Sequence, residues 1–301
     1  VLWETLLDDI KVRSAMPTSQ NTFTEARFLS LTNAELRSRL VPIIDKVREN
    51  FYLYDVDTAL NATGAYDIHK RAVGAKLFTC ALISDLDRKD LAYYSEEEIH
   101  NYDSPPGDFG FFFRRSQVHL VPRVPAGWEN FRQTILLQPG RIVPTDEGAQ
   151  ITAINTSTGL ITCDAVPSTW STANTFDLVQ AEAHFDTLGI DLEASSVVTG
   201  TAGTVTLAAA DLPSRLVVGD YISLAGQTPV VQCPDEFLPL LAQYVANIAL
   251  KSQTDVEAYK LGVEDAKQLK EGLMGLVSPR VQKEGKKIVN RSGMLRRGGG
   301  F

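Results

Sequence analysis

The chain has 301 residues, 44% of them apolar and 22% charged, with a formal net charge of −8; that balance supports a packed core in one large domain or a few small ones and argues against a general nucleic-acid binder, which needs a basic face. No apolar run reaches the roughly 18 residues a membrane span requires, so no membrane partner is expected, and the opening Val1-Leu2-Trp3-Glu4-Thr5 lacks the basic-then-apolar build of a secretory leader. The three cysteines, Cys80, Cys163 and Cys233, are odd in number and far apart, which speaks against a disulfide framework and for a reducing compartment during assembly.

In chain order, Trp3, Leu6, Leu7 and Ile10 recur at helical spacing, and residues 16–21 interrupt them with turn formers. Thr22 and Glu25 have capping-box spacing. They open a second helical stretch whose apolar face is Phe28, Leu36, Leu40, Ile43, Ile44, Val47 and Phe51. Pro42 inside it predicts a kink or break near Val41.

Residues 52–57 and 75–83 read as strands, with Asn61-Ala62-Thr63-Gly64 as a turn between them. Asp55 and Asp57 share one face of the first strand, so a cation held between them is conceivable. Ser95 caps a short helix start with Glu98 reaching back; Glu96, Glu97 and Glu98 point in different directions and do not converge on a metal. Ser104-Pro105-Pro106-Gly107 is a loop. Residues 109–113 and 118–121 predict a hairpin turned at Arg114-Arg115-Ser116.

From Ile142 to Cys233 the pattern is almost all β. Residues 151–154 and 160–163 flank a loop ending in Gly159, and 176–179, 204–207 and 221–224 continue as short strands. Helices return at Asp235, with Leu238, Leu241, Val245 and Ile248 at three-four spacing. Thr254 and Glu257 form another capping box ahead of a stripe of Val256, Tyr259, Val263, Ala266, Leu269, Leu273 and Leu276, closed by Ser278-Pro279. The expected fold is therefore α+β. A helical bundle frame (1–50 plus 234–277) carries a mixed β region with a short helix (51–141) and an inserted small β-barrel or β-sandwich (142–233, acidic), and an extended basic C-terminal arm follows (278–301).

Charge is sorted along the chain. Residues 142–214 contain nine Asp and Glu and no Lys or Arg, whereas 280–301 contain seven basic residues against Glu284 alone; the last 22 residues thus carry +6 of the total −8, and those before them −14. The acids Asp146, Glu147, Asp164, Asp177, Glu182, Asp186, Asp191 and Glu193 are candidates for a face that lines a passage and repels DNA, since repeated charges around a ring focus a field that single ones do not. The arm is the strongest candidate for partner binding. It is too basic and too glycine-rich to fold alone, and it spans about 80 Å if extended. Lys286-Lys287-Ile288-Val289 is suited to adding a strand to a sheet edge; Arg280, Lys283, Arg291, Arg296 and Arg297 can pair with acidic groups, and Phe301 can fill a pocket.

No enzyme signature competes. His69, His100, His119 and His184 have no zinc-like spacing, no nucleophile elbow occurs, and Gly298-Gly299-Gly300 has no helix to open as a phosphate loop. No metal or cofactor is expected, and Trp3, Trp128 and Trp170 read as core or interface anchors.

Met16-Pro17-Thr18-Ser19-Gln20-Asn21-Thr22-Phe23 ahead of a helix containing Val41-Pro42-Ile43-Ile44 resembles the head-to-tail connector proteins of tailed bacteriophages, also called adaptor or head-completion proteins. So do Val218-Gly219-Asp220-Tyr221-Ile222, Gln227-Thr228-Pro229-Val230-Val231-Gln232, Pro239-Leu240-Leu241-Ala242 and Ser278-Pro279-Arg280-Val281. The resemblance implies a virion protein of the neck, assembled in the host cytoplasm. It would form a dodecameric ring of copies of itself under the portal protein, receive a tail or nozzle protein on the opposite face, and let double-stranded DNA pass without specific binding. The arm at 278–301 would dock on the portal, fed by the helix at 254–277. The long β section departs from the smallest adaptors and leaves open an outer skirt or a platform for fibres. A hydrolase with carboxylates converging in the β section and a general DNA binder are the readings of other classes.

Overall fold

The computed structural model describes residues 1–15, 23–48, 50–85, 87–95, 97, 109–122, 127–181, 186–253 and 256–276. The chain is mixed α+β and contains a closed six-stranded β-barrel. Helices α1 (Trp3–Arg13), α2 (Glu25–Glu35) and α3 (Val41–Val47) precede the strands; α4 (Leu238–Ser252) and α5 (Val256–Leu276) follow them. The expected Thr22 cap lies outside the described residues. Thr24 caps α2 instead, its hydroxyl oxygen accepting from the Arg27 amide at 3.3 Å, which satisfies one of the orphan donors of the first turn.

Pro42 causes no break. Its ring would press on the carbonyl four residues back, and the chain answers with a π-helical turn at Leu36–Leu40 that widens the coil before α3 continues. This turn and α1–α4 close one core in which Ile10, Leu36, Leu40, Ile44, Phe237, Leu240, Leu241 and Val245 are wholly buried.

The helices do not make a bundle that frames the molecule, and that expectation is corrected. The first two are only 11 residues long and the third only seven, about 16 Å at most. They complete their core with Tyr52, Ile142, Val231 and Cys233 from the β part. Glu35, at the end of α2, is buried, and burial raises its carboxyl above the ordinary value despite Arg39 at 3.1 Å. A carboxyl raised by folding costs stability when ionised, and that cost disappears below its unfolded value. Glu35→Gln is therefore expected to melt at or above the parent at pH 7, with the gap narrowing towards pH 4; a gap that widens on acidification would contradict this.

The first β region makes two four-stranded sheets. One has the order β1–β8–β3–β4, from β1 (Leu53–Ala59), β3 (Ala72–Ile83), β4 (Arg88–Asp90) and β8 (Asn130–Leu137). The other has the order β2–β7–β6–β5, from β2 (Ala65–Asp67), β5 (Ala92–Tyr93), β6 (Gly110–Arg114) and β7 (Gln117–Val121). The β6–β7 hairpin turns where the sequence predicts, with Arg115 at φ 58°. Tyr66, Cys80, Leu82, Val118, Leu120 and Phe131 form the buried core of this region.

The barrel runs β10–β11–β16–β14–β13–β17, from β10 (Ala149–Asn155), β11 (Leu160–Cys163), β13 (Thr175–Val179), β14 (Thr187–Val198), β16 (Thr204–Leu207) and β17 (Tyr221–Leu224). Alternate residues Ile151, Ile161, Cys163, Phe176, Leu178, Val205 and Ile222 point inward and fill it, with Trp170 against Phe176 at 5.1 Å. Short pairs complete the β part: β12 (Ala165–Val166) with β15 (Gly200–Thr201), and β9 (Arg141–Ile142) parallel to β18 (Gln227–Thr228).

The short β9–β18 pair and the segment after it are stitched to the helices. The Val231 amide donates to the Val1 carbonyl at 2.9 Å. The Asn33 side chain accepts from the Ile142 amide at 2.8 Å and donates to its carbonyl at 3.0 Å. No helix among the described residues is long and apolar enough to cross a membrane.

Candidate functional site: the junction of barrel and sheet

A segment of 73 residues without Lys or Arg must import cations if any of its carboxylates is to be buried; the span 142–214 is such a segment. Asp177, on β13, is 1% exposed, and Arg71, in the turn just before β3, reaches it with Nη1 2.6 Å from Oδ2. The amides of Gly226 and Asp191 also donate to this carboxylate, at 2.9 and 3.0 Å. Burial pushes the Asp177 carboxyl above its ordinary value, and Arg71 with the two amides pulls the other way. Three donors around one buried carboxylate are what keeps a charge tolerable there.

The neighbouring residues act on the same strand pair. His69 Nε2 and Lys70 Nζ lie 3.3 and 3.2 Å from Asp191 Oδ2. Asp191 sits at φ 52°, where β14 bends next to β13. Burial lowers the His69 pKa in spite of Asp191. Three consecutive residues, His69, Lys70 and Arg71, thus fasten the barrel to the sheet region.

The predicted repelling face is not uniform. Asp177 faces the interior. Asp186 is paired with Arg215 at 2.8 Å, and Asp191 faces Lys70 and the His69 imidazole. Asp146, Glu147, Asp164 and Glu193 are exposed, though Asp164 also accepts from the Gln150 and Ala165 amides at 2.8 and 2.7 Å. Glu182 lies outside the described residues. So do the arm residues Arg280, Lys283, Lys286, Lys287, Ile288, Val289, Arg291, Arg296, Arg297 and Phe301, together with Glu96, Glu98, His100, His184 and Thr254.

The conceived cation between Asp55 and Asp57 is Arg132. Its guanidinium meets both Asp57 oxygens at 2.7 Å and lies 3.4 Å from Asp55.

Next to this junction a cleft of about 840 Å³ separates the sheet from the barrel, lined among others by Tyr54, Phe78, Arg88, Thr187, Pro213 and Arg215. Its carboxylates are occupied: Asp55 accepts from the Thr134 hydroxyl at 2.6 Å, and Asp186 holds Arg215. The Tyr52 hydroxyl donates to the Gln232 carbonyl at 2.9 Å, and burial raises its pKa well above the ordinary value. The thiols are buried and free; burial pushes Cys80 and Cys163 up to about 12 and Cys233 in the same direction, so none is a ready nucleophile. Among the described residues no three His, Cys, Asp or Glu side chains gather as metal ligands.

Neither a protein-family model nor a curated protein matches the chain. Two surfaces of the described residues carry exposed apolar side chains. Those surfaces include α5, exposed along most of its length, with Leu261 at 69%. On the barrel they include Val217 and Val218, at 52% and 61%.

Arg71 and Arg132 escape sequence reasoning because their partners are 106 and 75 residues away. The signal that could have found Arg71 is the absence of cations from the barrel segment itself.

Proposed function

We propose that the chain is a structural virion protein without catalysis, a ring adaptor between the portal and the tail of a tailed phage that gives the genome a passage. The observation that carries this reading is the charge sorting. A negatively charged body ends in one long exposed helix, α5, that leads straight into the basic segment 278–301. Twelve such chains in a ring would bring together roughly a hundred negative charges, a surface from which DNA slides instead of sticking. The arm extends from that body to an acidic groove on the portal; since ordering some 20 residues costs about 1–2 kcal/mol each, the groove has to supply backbone pairing and pockets as well as charge, and repetition round the ring adds avidity. The unpaired acids Asp146, Glu147 and Glu193 are the lumen-facing groups in this reading.

Deleting 278–301 is expected to abolish attachment to DNA-filled heads in a pull-down or by negative-stain imaging while leaving the folded body intact. Attachment at parental levels would sink the reading. The exposed Val217 and Val218 favour a second one, a neck protein that anchors a tail or fibre component on its barrel. Under that reading the deletion has little effect, and Val217→Asp with Val218→Asp abolishes attachment instead.

A further inference from the structure

Three arginines from distant parts of the chain are drawn to one place beside the junction. Asn33 on α2 holds both backbone groups of Ile142, and Arg37, one helical turn further on in the π-helical segment, leaves the helix on the same side. There it faces Arg141, the residue before Ile142 on β9. The Arg141 amide donates to the Gly226 carbonyl at 2.7 Å. The Gly226 amide in turn donates to Asp177, the carboxylate that Arg71 holds. Partial burial, then the Arg141 and Arg71 guanidiniums, keep the Arg37 pKa below its ordinary value, as expected of cations that meet without an acid between them.

The other cations of this neighbourhood are matched. Arg39 has Glu35 at 3.1 Å, Lys70 has Asp191 at 3.2 Å and Arg71 has Asp177. Arg37 and Arg141 are both exposed, and among the described residues neither has a carboxylate within 4.0 Å. Two positive charges are thus left over, on a chain whose net charge is −8. Guanidiniums that face each other unpaired repel. On a chain with acids to spare, a local arrangement that works against stability marks a site.

We infer that Arg37 and Arg141 form a clamp for a tetrahedral oxyanion with two negative charges, either inorganic phosphate or a terminal phosphate monoester. Each guanidinium presents a planar fork of N–H donors that matches two oxygens of such a group, and the two charges of the ligand cancel the two left over on the protein. A phosphodiester carries one charge and meets half of the surplus. A long polyanion is repelled by the rest of the acidic surface. The inference does not rest on the adaptor reading and can fail or succeed without it.

The test follows the arginine Nε–Hε signals of the full chain by NMR during titration with inorganic phosphate, methyl phosphate and dimethyl phosphate. Ionic strength is held constant and the pH is about 8, above the second phosphate pKa of about 6. The Arg37 and Arg141 signals are expected to move together and to saturate with inorganic phosphate. Arg37→Gln and Arg141→Gln are each expected to weaken binding at least about tenfold, the loss of one charge-assisted contact. Both side chains are exposed, so neither change opens the core, and the titration of the parent stands by itself. Methyl phosphate bound as tightly as inorganic phosphate assigns the clamp to a phosphate carried on a larger molecule, and inorganic phosphate bound alone assigns it to the free ion; both support the clamp. Three results overturn it: no movement of the two signals at tens of millimolar phosphate, dimethyl phosphate bound as well as the dianions, or unchanged affinity in the variants.

Discussion

Replacing Arg71 by Met is expected to destabilise the protein by about 3–5 kcal/mol, the cost of leaving a buried carboxylate without its cation. Asp177 would keep the Gly226 and Asp191 amides, which is too little to hold a full charge away from water. The effect should depend on pH. The Asp177 carboxyl is already raised above its ordinary 3.8 by burial, and without Arg71 it rises further. A carboxyl raised by folding favours the native state in its protonated form, so the stability lost at pH 7 returns as the pH falls through the native-state value. Chemical denaturation of parent and variant at pH 7 and pH 4 measures both claims. Adding Asp177→Asn to Arg71→Met removes the buried charge and should recover more than half of the loss at pH 7, because an amide can still accept one backbone N–H. A loss below about 1 kcal/mol for the single variant, the size expected of an exposed pair, would show that this contact does not fasten the barrel.

Gly262→Leu is expected to unseat α5. At Gly262 this helix lies against α4: the Asn247 side-chain amide donates to the Gly262 carbonyl at 3.0 Å, and Gln243 Nε2 donates to Asn247 Oδ1 at 3.0 Å. Arg13 extends the network by donating to Gln243 Oε1 at 3.2 Å. A Cβ at position 262 would overlap Asn247 Oδ1 and lie 3.0 Å from Gln243 Nε2. Overpacking and the lost hydrogen bond together cost about 3 kcal/mol. Most of a helix's stability in a protein comes from packing of its apolar face, so the loss should appear as reduced far-UV helical signal and new protease cuts within 256–276 while the barrel stays folded. Unchanged helical signal and stability would show that α5 is held elsewhere. Since α5 leads into the basic arm, detaching it should also weaken attachment to heads under the adaptor reading.

Much of the β architecture is legible in the sequence where apolar residues alternate cleanly. Ile151 with Ile161 and Cys163, Phe176 with Leu178, and Val205 with Leu207 mark barrel strands directly. Two long strands are hidden for physical reasons. In β8 the inward position 133 is a glutamine, buried because its Nε2 donates to the Asp67 carbonyl at 3.1 Å, so the alternation Phe131, Ile135, Leu137 reads as broken. In β14 the bend at Asp191 and the register shift between Ala194 and Ser196 interrupt the period of two. The candidate site is less legible still. The acids can be named from composition, but burial of Asp177 and pairing of Asp186 and Asp191 depend on chain crossings that no local pattern encodes. Pro42 carries the opposite lesson: a breaker by type is absorbed by one widened turn.

The strip His69-Lys70-Arg71 has a consequence for anyone who wants to borrow the barrel. Its boundaries look clean on paper, yet the excised piece would hold an acid that no cation in its own stretch reaches. A graft into another protein should carry a donor guanidinium at the place Arg71 occupies, or a neutral residue at position 177. Portability here is decided by three residues that a sequence boundary would leave behind.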